Sequence, residues 1–403
     1  MNSEIIIIIF YVVILFTVAC EKKGQEIPFN ELSETPTLLL NPNGNTPLAA
    51  ELSLETRVPV KVSFTVKGEE DFTRSVDNYQ TSHKVPIVGL YPSRNNELVI
   101  TLTDKKDNWA TISLFVETDS LPSFFPEVDI EVAKYDQMQE GWTLCEFSLA
   151  TNTAYLTYPF VVDKQGVVRW FMSVADFNDI VFPFQIKKNG NFLFGHASEI
   201  YETDWLGYDI NSWAISGFRQ DHDIYEKPNG NLLITGNNTA VATVADHIFE
   251  LNPYGDIVNT WDMRQVLDIS RTDLVNDAND WLHLNAVWYS ENDDCIVVSG
   301  RNQGLMKLTN GGELKWILAP HKGWEMAGVN GSGLDTRDFL LTAVDANGVP
   351  YNDQIQQGLM ATDDFDWTWG QHAVMVLPND EVFVFDNGFK RNFLNATTTH
   401  MQC

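Results

Sequence analysis

The chain has 403 residues, enough for two or more domains, and its 44% hydrophobic content is that of a globular protein rather than a disordered one. With 26 basic against 55 acidic residues the formal net charge is −29, which repels a nucleic-acid backbone and excludes nucleic acid as an expected partner. Any site for an anion must then be a local positive pocket inside a negative body.

Ile5 to Val18 (IIIIIFYVVILFTV) is an apolar run too short to span a bilayer comfortably. It ends in TVAC followed by the polar EKKGQE, the pattern of a bacterial lipoprotein: residues 1–20 read as a signal peptide with a lipobox-like Cys20 that is acylated. The n-region MNSE lacks Lys and Arg, and Thr17 stands where Leu is usual, so an uncleaved single anchor is the alternative. Either reading exports the rest of the chain, and the first places it on the outer membrane by a lipid anchor, on the periplasmic or cell-surface side. Beyond Cys20 only Cys145, Cys295 and Cys403 remain, which is no disulfide framework, although a Cys145–Cys295 bridge stays open.

Residues 21–34 are polar and predict a tether. Over residues 35–122 short alternating runs such as VPVKVSFTVKG, NELVITLTD and WATISLFVET, separated by Gly, Pro and Asn, predict a small Ig-like β-sandwich. SLPSFFPEV, with Pro122 and Pro126, marks a boundary. Residues 126–403 are again β and repeat. Hairpin turns recur in VDKQGVVRWF, KKNGNFLFG, KPNGNLLITG, LNPYGDIVNTWD, LTNGGELKWIL and LPNDEVFVFDNG. One type of hairpin ends in Gly, the other in an aromatic such as Trp170, Trp261 or Trp316. Four-stranded blades built from two hairpins give that alternation, so the expected fold is all-β, with a β-propeller following the sandwich.

Aligned on their turns, three repeats carry a histidine near the start of the equivalent strand. His222 lies in DHDIYEKPNGN, His283 in DWLHLNAVWYSEND and His372 in WGQHAVMVLPND. In a propeller the first strand of each blade lines the channel, so the three imidazoles are expected to meet there. Asn285 shares a strand face with His283, and Arg301 begins the strand after that blade's first hairpin; its planar fork of donors suits sulfate, phosphate or carboxylate. The rival reading is a zinc hydrolase, because three histidines and a water form a catalytic zinc set. The arginine favours an anion over a cation. Asp221, Asp223 and Asp280 are expected to point away from the channel, and His83, His196, His247, His321 and His400 read as structural hydrogen-bonding residues.

At DHDIYEKPNGNLL, DWLHLNAVWYSENDDCIVVSGRNQGLMKL and DFDWTWGQHAVMVLPNDEVFVFDNG the sequence resembles the bacterial arylsulfate sulfotransferases that use no nucleotide donor. The insertion HKGW…DFLLTAVDANGVPY fits as well, and LNPNGNTPLAAEL and HKVPIVGLYP resemble that family's small β-sandwich, so the resemblance runs from about residue 35 to 395. It implies a six-bladed propeller, sulfuryl transfer from an aryl sulfate to a phenol by a ping-pong route through a sulfohistidine, and no cofactor or metal. His372 corresponds to the nucleophile, and His222, His283, Asn285 and Arg301 to groups that hold sulfate oxygens and manage protons. The family usually continues well past the FDNG block, whereas here Gly388 is followed by FKRNFLNATTTHMQC, so an incomplete ring is expected. With it come an exported non-catalytic binding module, or an inactive fragment, as the alternative function, and a homodimer as an open question.

Overall fold

A computed structural model describes residues 24–150, 155–174, 177 and 180–394; the expected signal peptide, Cys20, His400 and Cys403 lie outside the described residues. The described residues are nearly all β and divide into two compact units, the first comprising those up to residue 40 and 50–119, the second 41–49 and those from 120 onward. No helix among the described residues is long and apolar enough to cross a membrane.

The first unit contains β1 (Thr37–Leu40), β2 (Ala50–Val66), β3 (Phe72–Ile87), β4 (Arg94–Asp104) and β5 (Trp109–Thr118). Along β2, Leu52, Leu54, Val60, Val62, Phe64 and Val66 are buried, the period-two pattern that puts one face of a strand in a core. All five strands hydrogen-bond as one sheet, with β2 pairing to β1, β3 and β4. The β2–β3 register breaks between Glu55 and Val60, so each half of these long strands has its own partners. The expected tether is corrected in part. Residues 26–33 fold onto this unit: Ile27 N–H donates to Trp109 O at 2.9 Å, a helical turn α1 (Phe29–Leu32) follows, and Ser33 bridges to Thr56.

In the second unit β6 (Thr143–Ala150), β7 (Tyr155–Val162) and β8 (Val168–Phe171) form a three-stranded sheet. Three four-stranded sheets follow, each meandering antiparallel in chain order. They are β9 (Phe182–Ile186), β10 (Phe192–His196), β11 (Glu199–Thr203) and β12 (Asp209–Ala214); β13 (Phe218–Glu226), β14 (Leu232–Asn238), β15 (His247–Leu251) and β16 (Ile257–Asp262); and β17 (Leu284–Ser290), β18 (Cys295–Gly300), β19 (Gly304–Thr309) and β20 (Leu314–Leu318). Finally β21 (His372–Val376) pairs with β22 (Val382–Phe385). The first strands β9, β13, β17 and β21 pack in succession, which is how propeller blades meet at a channel.

All six hairpins read from the sequence join neighbouring strands of one sheet. In two of the Asn-Gly turns the glycines take φ of 87° at Gly190 and 84° at Gly230, values that cost a side-chain-bearing residue dearly. Each turn is also tied to its own blade. Lys187 and Lys227 donate to Glu202 and Glu250 at 2.6 and 3.0 Å, joined by Asn191 and Asn231 at 2.6 and 2.7 Å. Burial pushes the Glu202 carboxyl up, but the donors Lys187, Asn189, Asn191 and Asn211 outweigh it and hold the group at about 2. The β11–β12 hairpin, turning at Asp204–Gly207, adds to these six.

Successive blades are stitched by Asp223. Its Oδ1 accepts from Gln185 Nε2 at 2.8 Å and Ile224 N at 2.9 Å, and its Oδ2 from Val287 N at 2.9 Å, so one carboxylate links β9, β13 and β17. Asp223→Ala leaves those donors without an acceptor and is expected to lower stability by about 2–4 kcal/mol, read as an earlier urea midpoint. An unchanged midpoint contradicts the clasp.

Candidate active site

The channel-lining strands do not carry their histidines on regular backbone. β13 bulges between Gln220 and Ile224, and His222 at its centre has φ 111°. His283 has φ 52° just ahead of β17, and Ala373 has φ 56° just after His372 opens β21. A positive φ on a residue with a side chain is strained, and the same irregularity in three successive blades is the kind of strain that clusters at functional sites. At Gly236, near the end of β14, a Cβ would lie 2.4 Å from Arg219 O, opposite the β13 bulge.

These distortions bring the three rings together. The His222 and His283 centroids are 5.0 Å apart, and His283 and His372 6.4 Å. Each ring is held at Nδ1. Asp280 Oδ2 lies 2.6 Å from His283 Nδ1; the carboxylate can only accept, so the proton sits on Nδ1 and the neutral ring keeps a lone pair at Nε2. Asp221 Oδ1 is 2.5 Å from His222 Nδ1, an ion-pairing approach out of line for a hydrogen bond. His372 Nδ1 faces Gly370 O at 3.2 Å and Asn387 Nδ2 at 2.7 Å. The expectation that Asp221, Asp223 and Asp280 turn away is therefore corrected for two of them. It assumed unbroken alternation, but Asp221 sits at a bulge and Asp280 on a 3₁₀ turn (Ala278–Asp280).

Arg301 completes the site. Its guanidinium lies over the Phe389 ring, 4.5 Å from the centroid, its Nε is buried without a hydrogen-bond partner, and it forms no ion pair among the described residues. Its backbone N–H donates to His283 O at 2.9 Å. The two residues after it lock the loop, Asn302 donating to Asp280 O at 2.9 Å and Gln303 to Arg271 O and Trp281 O at 3.0 and 2.9 Å. Arg271 in turn is 1% exposed, packs 4.6 Å from the Trp324 ring of the insertion, and is pulled down to about 10 by burial. Asn285 has a more structural position than expected: its Nδ2 donates to Gln371 O at 2.9 Å, fixing the strand of the neighbouring histidine, while its Oδ1 is buried without a partner. Gln371 Nε2 returns a bond of 2.8 Å to Gly300 O.

Burial pushes the His372 pKa below the ordinary 6.5, and the nearby charges of His222, His283 and Arg301 push the same way against the opposing Gly370 carbonyl. His372 is thus kept neutral, the form with a lone pair. The Arg301 guanidinium beside a neutral imidazole makes a site for an anion. Among the described residues no group of three or more His, Cys, Asp or Glu side chains is placed to hold a metal ion. Cys145 and Cys295 are both free, so the bridge left open by the sequence does not form. His83, His247 and His321 bond to Gln80 O, Asp246 and Leu341 O, the structural roles expected of them.

Residues 129–402 match the family described as Arylsulfotransferase (ASST), and residues 37–118 match the Arylsulfotransferase Ig-like domain. The chain belongs to the arylsulfotransferase family. It is 25% identical to arylsulfate sulfotransferase AssT of Escherichia coli O6:H1 (strain CFT073), covering 88% of this chain and 74% of that one. With arylsulfate sulfotransferase AssT of Lelliottia amnigena it shares 23% identity over 90% and 75% of the two chains. Among solved structures it is similar to the WD40 β-propeller domain of Doa1, with a TM-score of 0.29 and 11% identity over 72% of this chain and 86% of that one. The enzyme is accordingly a transferase of sulfuryl groups with an Ig-like N-terminal domain. Sequence reasoning missed Asp280 and Asn387 as parts of its site. Asn387 lies within FDNG, where the sequence assigned it no role, and Asp280 was read as strand.

Proposed function

We propose that the enzyme transfers a sulfuryl group from a phenolic sulfate ester to an acceptor phenol in two half-reactions, through a sulfohistidine at His372. The observation that supports this reading is a neutral, part-buried imidazole beside an arginine with no acidic partner, with a second, carboxylate-oriented histidine in reach. Sulfuryl transfer resembles phosphoryl transfer, with a loose in-line transition state, so positioning and charge stabilisation carry most of the catalysis.

In the first half-reaction His372, with its ring proton on Nδ1 toward Gly370 O, attacks sulfur through Nε2. The S–O(aryl) bond breaks, and His283 in its protonated form gives the departing phenolate a proton from Nε2. Arg301 and His222 hold the non-bridging oxygens, and the Phe389 ring under the guanidinium limits its swing. In the second half-reaction neutral His283 takes the proton of the acceptor phenol, whose oxygen attacks sulfur, and the bond to Nε2 breaks. Asn285 acts by holding Gln371 O and with it the start of β21. No step calls on a metal or an organic cofactor.

Initial rates against donor at several acceptor concentrations are expected to give parallel double-reciprocal lines, and intersecting lines overturn the two-step route. The pH dependence follows from His372. Its pKa is lowered by burial, so the nucleophile is active above that value and lost as pH falls through it, and the acid limb of kcat/KM for the donor is expected to have its midpoint below 6.5. A midpoint above 6.5 contradicts the assignment. We further propose that residues 1–20 direct export and that Cys20 carries a lipid anchor, which palmitate labelling that disappears in Cys20→Ser tests directly.

A further inference from the structure

Gly370 O can only accept a hydrogen bond, so the atom of the Asn387 carboxamide facing it at 2.7 Å must be the nitrogen. That same nitrogen is 2.7 Å from His372 Nδ1 and has a second hydrogen to give. Asn387 is not free to drift. On one side of it Asp386 Oδ1 accepts from Trp369 N and Gly388 N at 2.9 Å each, and Asp386 Oδ2 from Arg391 Nη2 at 2.6 Å. A donor aimed at Nδ1 stabilises a lone pair there, not a proton. This is the wrong arrangement for the moment of attack, when Nε2 needs its lone pair and Nδ1 carries the hydrogen. It is the right one for the covalent intermediate after Nδ1 has lost that hydrogen.

We infer that Asn387 is a positioning residue that keeps the sulfohistidine in a stored form between the two half-reactions, its Nδ2–H bonded to an unprotonated Nδ1; the inference rests on the sulfohistidine reading above. The protons balance as follows. Attack leaves Nε2 bonded to sulfur and Nδ1 protonated, a ring with a good leaving group and hence a labile sulfuryl. Nδ1 then releases its proton to solvent water and accepts the Asn387 N–H. In this state transfer would have to expel an imidazole anion, so water attacks slowly. Binding of the acceptor in the second half-reaction is matched by uptake of one proton at Nδ1, where Gly370 O at 3.2 Å accepts it, and the ring leaves neutral. Such a device would make the enzyme a transferase rather than a sulfatase. The charged and titratable groups facing His372 are His222, His283 and Arg301, all of which oppose a proton on the ring and so favour the stored form.

The test loads the full enzyme with p-nitrophenyl sulfate, removes the donor, and follows protein-bound sulfuryl and released inorganic sulfate without acceptor. In the unsubstituted enzyme the adduct is expected to decay slowly, and faster as pH falls and Nδ1 is protonated. Asn387→Leu removes the donor at nearly constant volume and is expected to speed decay roughly three- to tenfold, the scale of one hydrogen bond. Asn387→Asp substitutes an acceptor that holds Nδ1–H, so decay is expected to be faster still and flat across neutral pH. Adducts in both variants that decay with unaltered rate and pH profile overturn the storage role, as does failure of both variants to form an adduct that the unsubstituted enzyme forms. If the unsubstituted enzyme forms none, the sulfohistidine reading itself has failed, a result distinct from either.

Discussion

Replacing His372 with alanine is expected to lower transfer from p-nitrophenyl sulfate to phenol by about 10⁴-fold or more, the scale seen when a covalent nucleophile is deleted. The size follows from what the ring does. In the proposed route it offers the lone pair; its Nδ1 faces Gly370 and Asn387, and burial lowers its pKa. Folding should survive, since His372 is only part-buried and the strand after it is pinned through Gln371 by Asn285, Ser299 and Gly300. Residual transfer within tenfold of the unsubstituted enzyme contradicts the assignment of the nucleophile.

The second large effect belongs to His283. His283→Ala is expected to cost about 10²–10⁴-fold, the usual contribution of a general acid–base, but unequally across donors. A nitrophenolate leaves without help, so its sulfate ester should lose least in the first half-reaction; an unsubstituted phenyl sulfate, whose leaving group needs the proton, should lose most. Asp280→Asn is expected to fall between, because it keeps the side chain's shape while removing the charge and putting an amide N–H in place of one of the oxygens, so that the proton is no longer fixed on Nδ1. Measuring kcat/KM for a series of phenyl sulfates of graded leaving-group acidity checks both. A loss that is uniform along the series would make His283 a structural residue or a sulfate ligand.

How much of this was legible beforehand differs between fold and site. The blades were, because Asn-Gly turns such as Asn189–Gly190 and Asn229–Gly230 fix hairpins locally and apolar strands flank them. The convergence of His222, His283 and His372 was also legible, since radial repetition turns separations of 61 and 89 residues into one channel. What escaped depended on departures from regularity. A period-two rule cannot foresee that β13 bulges at His222 or that Asp280 lies on a turn, so it sent the orienting carboxylates the wrong way. Asn387 escaped for another reason. It lies 15 residues from His372 at the far end of the last hairpin, and only the 2.7 Å approach to Nδ1 shows its use. The residues 26–33 looked like tether because α1 is four residues long and leaves no helical period to read.

One covalent bond, between His372 and sulfur, distinguishes the proposed route from any direct transfer. The decisive measurement is the intact mass of the enzyme after incubation with p-nitrophenyl sulfate alone, followed by mapping under mildly alkaline conditions that spare an acid-labile adduct. A mass gain of one sulfuryl group, located on the peptide that carries His372, absent in His372→Ala and discharged by phenol, is the predicted result. Release of nitrophenol with acceptor present but no sulfuryl on the protein at any time, or an adduct on a residue other than His372, contradicts it.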